Sequence, residues 1–134
     1  MTKSELAVSK HRDGYNCCQA VACSFAEELG CDEATLYKMC EGFGAGMGTG
    51  LGVCGALSGA AILSGLINSD GNIECAGQTK ASTYRLASKM QMEFADKVGS
   101  IICKQIKSGT DGKPLTSCAD CIAIATEIAE KTLF

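Results

Sequence analysis

Glycine occupies every second position from Gly42 to Gly52, and after a single valine the chain continues Cys54-Gly55-Ala56-Leu57-Ser58-Gly59. Glycine forgoes side-chain packing and carries the largest backbone entropy cost, so such density needs a reason. Two causes fit: close approach of the backbone to a neighbouring element, or positive φ angles that let several amides converge on one group. A cysteine at the exit of the loop points to a sulfur-centred site. The same stretch also reads as a tight loop between two buried helices, with Cys54 as a small hydrophobe. The stretch alone leaves both readings standing.

Sulfur is the second constraint. The chain has ten cysteines in 134 residues, against one histidine, one proline and no tryptophan. Met1-Thr2-Lys3-Ser4-Glu5-Leu6 has no apolar core of a signal peptide, so a cytoplasmic location is expected. There, cysteine richness points to metal binding or thiol chemistry rather than a disulfide framework. The length suits one cysteine-rich domain over residues 1–134 with a single core. A net charge of −3, with scattered lysines and arginines and few aromatics, argues against nucleic acid. The run from Val53 to Ile67 is too short and too rich in Gly and Ser for a membrane span and fits a buried helix. His11 lies in a polar stretch and is expected in solvent. A single histidine excludes a two-His zinc site within one chain and argues against a Ser-His-Asp triad.

Periodicity predicts helices throughout and no strand. Residues 1–13 read as a short polar helix or arm. Asn16-Cys17-Cys18-Gln19 is a capping box opening a helix that Gly30 stops, with Ala20, Val21, Phe25 and Leu29 on one face. Asp32 caps a second helix with Leu36, Met39, Cys40 and Phe43 inward. The third, from Val53 to Ile67, is apolar nearly all round and expected to be central. After a turn at residues 68–72, a long helix runs from about Ala76 to Lys107, its stripe formed by Tyr84, Ala87, Met90, Phe94, Val98, Ile101, Ile102 and Ile106. Ser117-Cys118-Ala119-Asp120 is another capping box and opens the last helix. The fold class is all-α, a compact bundle of about five helices, with the glycine-rich loop leading into a central apolar helix.

On this reading Cys17 and Cys118 open helices, and Cys54 lies in the first turn after the glycine loop. A helix start presents free N–H groups and a positive dipole end, both of which favour thiolate over thiol. Cys103 falls inside the long helix, at the edge of its apolar stripe. Other letter matches lack their context. Gly50-Leu51-Gly52-Val53-Cys54-Gly55 spells a dinucleotide fingerprint, yet a helix and not a strand precedes it, and no Gly-Lys-Ser/Thr of a P-loop follows. Cys118-Ala119-Asp120-Cys121 is a CxxC at a helix start, without the βαβ setting of thioredoxin-like pairs. Cys23, Cys31 and Cys40 read as packing or surface residues, and the methionines as core filler, with Met47 in the loop the one candidate soft-metal ligand among them.

The order Asn16-Cys17-Cys18-Gln19-Ala20-Val21, the glycine stretch with Cys54-Gly55-Ala56-Leu57-Ser58-Gly59, then Cys103 and Cys118, resembles the CGAxxG-motif (C_GCAxxG_C_C) family of redox-active proteins over nearly the whole chain. The resemblance implies Cys17, Cys54, Cys103 and Cys118 as the functional cysteines, catalytic or metal-ligating. The glycine loop adds Gly50, Gly52 and Gly55 as the backbone beside a bound cofactor. The family has a small residue at the position of Cys18 and an aliphatic one at that of Cys121, so the roles of those two, and of Cys75, stay open. The family's implied activity is redox chemistry without a named substrate or electron partner, and whether this chain is an enzyme stays open. A related domain attached to certain cytochromes is expected to hold an iron–sulfur cluster, which makes a cluster the favoured cofactor by analogy, with zinc or another thiophilic metal as an option. Four cysteines is the ligand count of an all-thiolate site, whereas a redox dithiol needs two. The alternative function is a soft-metal-binding or carrier module without turnover. The oligomeric state is open, a homo-oligomer included.

Overall fold

A computed structural model describes residues 1–134, and all its regular structure is helical. Eight α-helices form rather than five: α1 (Lys3–Arg12), α2 (Cys17–Cys23), α3 (Ala26–Leu29), α4 (Glu33–Cys40), α5 (Gly55–Asn68), α6 (Lys80–Val98), α7 (Cys103–Ser108) and α8 (Cys118–Leu133), with 3₁₀ turns at Glu41–Phe43 and Ile73–Cys75. Segment Gly44–Met47 closes one hydrogen-bonded turn, but Ala45 and Gly46 have φ of 53° and 61°, so it is not a right-handed helix.

Two predicted helices are broken in ways that matter for the site. The one expected from Asn16 to Gly30 divides at Ser24 and Phe25. Ser24 Oγ donates to the Ala20 carbonyl at 2.6 Å, a local bond that competes with the helix ladder. The one expected from Ala76 to Lys107 starts only at Lys80 and ends at Gly99, whose φ of 99° is a left-handed stop. The chain then extends through Ile101 and Ile102, where Ile102 forms an isolated antiparallel bridge with Val53, and a new helix starts at Cys103. Cys103 therefore opens a helix instead of lying inside one.

The caps read from the sequence are present where the chemistry is local. Gln19 N–H donates to Asn16 Oδ1 at 2.9 Å and Asn16 N–H to Gln19 Oε1 at 2.8 Å, a complete capping box. Thr35 N–H donates to Asp32 at 3.0 Å. Ser117 accepts from Asp120 N–H at 3.1 Å, without the reciprocal bond of the expected box.

Helix α5 is central, packed against α2, α6 and α8. Its Ala56, Leu57, Ala60 and Leu63 join Val21, Phe25, Met90, Phe94, Ile122 and Ile128 in the main core. Gly59 is required by that packing: a Cβ there would lie 2.8 Å from the Cys18 carbonyl and 3.0 Å from Val21 Cβ. The Gly55-x-x-x-Gly59 pair thus seats α5 on α2. A smaller cluster of Cys18, Ala22, Cys23, Ala26, Leu36 and Cys40 fills the space between α2 and α4. Met39 and Tyr84, both expected inward, are exposed. α4 turns only its Leu36–Cys40 line to α2, and the buried stripe of α6 comprises Met90, Phe94 and Val98. No helix is long and apolar enough to cross a membrane.

Candidate functional site

Four helix starts converge on one cavity of about 180 Å³, whose lining includes Cys17, Cys54, Cys103, Cys118 and Cys121. Cys17, Cys103 and Cys118 are the first residues of α2, α7 and α8, and Cys54 is the N-cap of α5. All four cysteines marked by the sequence are thus on one wall system, and Cys121 joins them from one turn into α8.

The glycine loop builds this convergence by positive φ and by close approach, but its glycine amides do not gather on one group. Left-handed backbone runs through Ala45, Gly46, Met47, Gly48 and Gly50, at φ between 53° and 81°. For Ala45 and Met47 that conformation costs about 1 kcal/mol each. Close approach accounts for other positions. A Cβ on Gly44 would lie 2.5 Å from the Asn16 side chain, one on Gly46 2.6 Å from Cys103 Cβ, and one on Gly55 would overlap the Cys17 sulfur. Asn16 Nδ2 donates to the Glu41 carbonyl at 2.9 Å, fixing the loop's entrance to the start of α2.

Gly50 and Gly52 do not face the cavity; only Gly55 of the three expected glycines lines it. Their amides are used inside the loop, Gly50 N–H to Ala45 O at 2.8 Å and Gly52 N–H to Gly46 O at 3.1 Å. Their carbonyls accept from Lys104 N–H at 2.8 Å and Cys103 N–H at 3.0 Å, which pins the start of α7. Cys54 N–H donates to the Ile101 carbonyl at 2.7 Å and completes the junction.

Cys54 is the electrostatic focus. Its thiol is pulled down to about 7, first by a hydrogen bond from Cys121, then by the Ala56 and Leu57 amides and the Lys107 charge, against the opposing effect of burial. Those amides belong to the first turn of α5, so the helix start and not the glycine loop supplies the donors. Cys121 is raised because its thiol proton is held by Cys54. Burial raises Cys17 and also Cys103, where the Lys107 charge and side-chain hydrogen bond act in the opposite direction. Cys118 is the only one of the five that is exposed.

Three titratable wall residues escaped the sequence reading as site members. Cys121 had a signal in the CxxC spacing, which puts it one helical turn below Cys118. Lys107 had none, because the break at Gly99 re-aims its helix. His11, expected in solvent, is half-buried on the cavity wall, with Nδ1–H donating to the Tyr15 carbonyl at 2.9 Å. Cys18, Cys23, Cys31, Cys40, Cys75 and Met47 do not line the cavity, and Met47 is exposed.

An all-sulfur donor set suits a thiophilic ion or an iron–sulfur cluster in kind. In arrangement it does not: no three His, Cys, Asp or Glu side chains stand together as a set that could hold a metal ion. Among the lining thiols, Cys54 and Cys121 influence each other most, Cys121 lowering Cys54 and Cys54 raising Cys121.

Residues 15–132 match the sequence model of the C_GCAxxG_C_C family, described as a "putative redox-active protein". No curated protein and no solved structure matches the chain.

Proposed function

The chain belongs to the C_GCAxxG_C_C family, and from that premise we propose that it performs thiol–disulfide redox chemistry, with Cys54 and Cys121 as the working pair. The observation that carries this reading is that Cys54, at the start of α5, and Cys121, one turn into α8, line one cavity with Cys17, Cys103 and Cys118, and that Cys121 is the first influence lowering the Cys54 thiol. The Cys54 thiolate attacks one sulfur of a partner disulfide, and the departing thiolate takes up a proton. Cys121 gives up its proton and attacks the Cys54 sulfur, releasing the second partner thiol. One partner disulfide is reduced and one protein dithiol is oxidised. Cys118, exposed at the mouth, is where a partner's sulfur makes first contact.

Alkylation tests the nucleophile. A group lowered to about 7 is protonated below that pH and thiolate above it, so iodoacetamide labelling of Cys54 should rise through neutrality and level off by about pH 8. Cys23, pushed up to about 12 mainly by burial, should stay nearly unlabelled. Slower labelling of Cys54 than of Cys23 or Cys31 in reduced protein at about pH 8 would refute the activated thiolate.

A second reading, a sulfur-ligated iron–sulfur cluster or soft-metal carrier site, is favoured by one observation: five thiols share a single cavity. It requires the sulfurs of Cys17, Cys54, Cys103 and Cys118 to draw together on loading. Anaerobic reconstitution with iron and sulfide separates the two readings. The dithiol account expects colourless, metal-free protein, and the cluster account a brown protein that each of the four Cys→Ser substitutions bleaches.

A further inference from the structure

Three more cysteines meet on the other side of α2. Cys18, Cys23 and Cys40 are half of the six-residue cluster between α2 and α4. Cys18 and Cys40 are 0% exposed and Cys23 is 3% exposed. A single buried thiol is simply a small hydrophobe, but here three share one closed cluster, at a joint that the Asn16 bond to the Glu41 carbonyl already draws together. The Cys18 and Cys40 thiols influence each other, which raises Cys18 and lowers Cys40, while Cys23 directs its thiol at the Glu33 carbonyl, 4.0 Å away.

We propose that Cys18 and Cys40 are a second dithiol, separate from the cavity, which closes to a disulfide between the start of α2 and the end of α4. Its placement gives that bond a consequence. Cys18 follows Cys17, whose sulfur lies against Gly55 in the cavity wall. Cys40 ends α4, and the chain continues through Glu41–Phe43 directly into the glycine loop. Asn16 already ties these two places together through its bond to the Glu41 carbonyl. A Cys18–Cys40 bond fastens the same joint covalently, so the oxidation state of this pair sets how firmly the loop is held against the cavity. The two dithiols share no helix, Cys54 and Cys121 belonging to α5 and α8 and Cys18 and Cys40 to α2 and α4.

The oxidant is a small disulfide, taken here as glutathione disulfide. Cys18 loses its proton and attacks one glutathione sulfur, and the first glutathione leaves and is protonated. Cys40 then loses its proton and attacks the Cys18 sulfur, and the second glutathione leaves and is protonated. Two protein thiols become one disulfide, and one glutathione disulfide becomes two thiols. Because both sulfurs are fully buried, exchange waits on local opening of α4, and closure is slower than at the cavity.

The test uses the full chain carrying Cys54→Ala, which removes the cavity pair and makes the outcome independent of the function proposed above. Trypsin leaves Cys18 in peptide 13–38 and Cys40 in peptide 39–80, and the latter would also contain Cys54 in the parent. The variant is equilibrated in graded glutathione buffers, its remaining thiols are alkylated after denaturation, and the peptides are sequenced by fragmentation. The expected result is peptide 13–38 joined to 39–80 through Cys18 and Cys40. The link should be lost on adding Cys40→Ala and, separately, on adding Cys18→Ala. The proposal is overturned if Cys18 and Cys40 stay fully alkylatable at the most oxidising buffer, or if fragmentation places the bond on another cysteine. Either result is read on the Cys54→Ala protein alone, so a double variant that fails to fold does not remove the test.

Discussion

Cys54→Ser protein is expected to lose reversible oxidation of the cavity altogether, and Cys121→Ala protein to keep a reactive Cys54 that works several-fold more slowly. Serine preserves the volume and the Ala56 and Leu57 amide contacts at the start of α5, so the fold should survive while the redox sulfur is gone. The Cys121 variant separates two effects of opposite sign. If its hydrogen bond supplies the whole lowering, the Cys54 thiol returns from about 7 toward its ordinary value of 9.0. At neutral pH the thiolate fraction then falls about 50-fold. A more basic thiolate is also the better nucleophile, by roughly 8-fold over two pH units. The fall in thiolate wins, and the net loss in alkylation rate is about 5- to 10-fold near pH 7. Stopped-flow or timed-quench alkylation of the two variants reads both numbers. An unchanged rate in Cys121→Ala protein would remove Cys121 from the account.

Gly55→Ala should be the most damaging single-methyl change in the glycine-rich stretch. Its Cβ would overlap the Cys17 sulfur and lie 2.9 Å from the Phe43 carbonyl and 3.4 Å from the Cys18 nitrogen. Two of those three neighbours are backbone and cannot rotate aside. Overpacking of this kind costs about 1–3 kcal/mol. The better helix propensity of alanine offsets less than about 1 kcal/mol of it, because Gly55 opens the helix and is not in its interior. Gly65→Ala is the control within the same helix. Nothing lies within 4 Å of its added methyl, so the variant should gain about 0.5–1 kcal/mol. Chemical denaturation of both proteins tests the pair, and equal shifts would show that α2 and α5 are less tightly apposed than the geometry requires. The Cys17 sulfur should also become more accessible in Gly55→Ala protein, since α2 is what must give way.

The parts of this fold that were legible in the sequence are those decided within a few residues. The Asn16–Gln19 box, the Asp32 cap and the stop at Gly30 each satisfy backbone groups from neighbours in the chain, and each is present. The all-α class and the central place of α5 follow from composition and period in the same way. What depends on tertiary geometry was not legible. Gly99 reads as a tolerable glycine inside a strong apolar stripe, and only the pairing of Ile102 with Val53 shows why the helix stops there. That one break moves Cys103 from a helix interior to a helix start and turns Lys107 toward the sulfurs. Gly50 and Gly52 were read as donors to a bound group, but their amides close the loop and their carbonyls hold α7. His11 comes to the wall through its bond to the Tyr15 carbonyl, a contact with no periodic signature. Cys17, Cys54 and Cys118 stood out by their places at helix starts and Cys103 by resemblance, whereas Cys121 had only its CxxC spacing and joined the site through the packing.

The most direct test of the account is the identity of the first disulfide formed as fully reduced parent protein is moved through increasingly oxidising glutathione buffers, with acid quenching and peptide mapping. Cys54 lies in tryptic peptide 39–80 and Cys121 in 108–131. The account predicts that these two peptides become joined first, with fragmentation placing the bond between Cys54 and Cys121. A first bond that leaves both Cys54 and Cys121 free would contradict it.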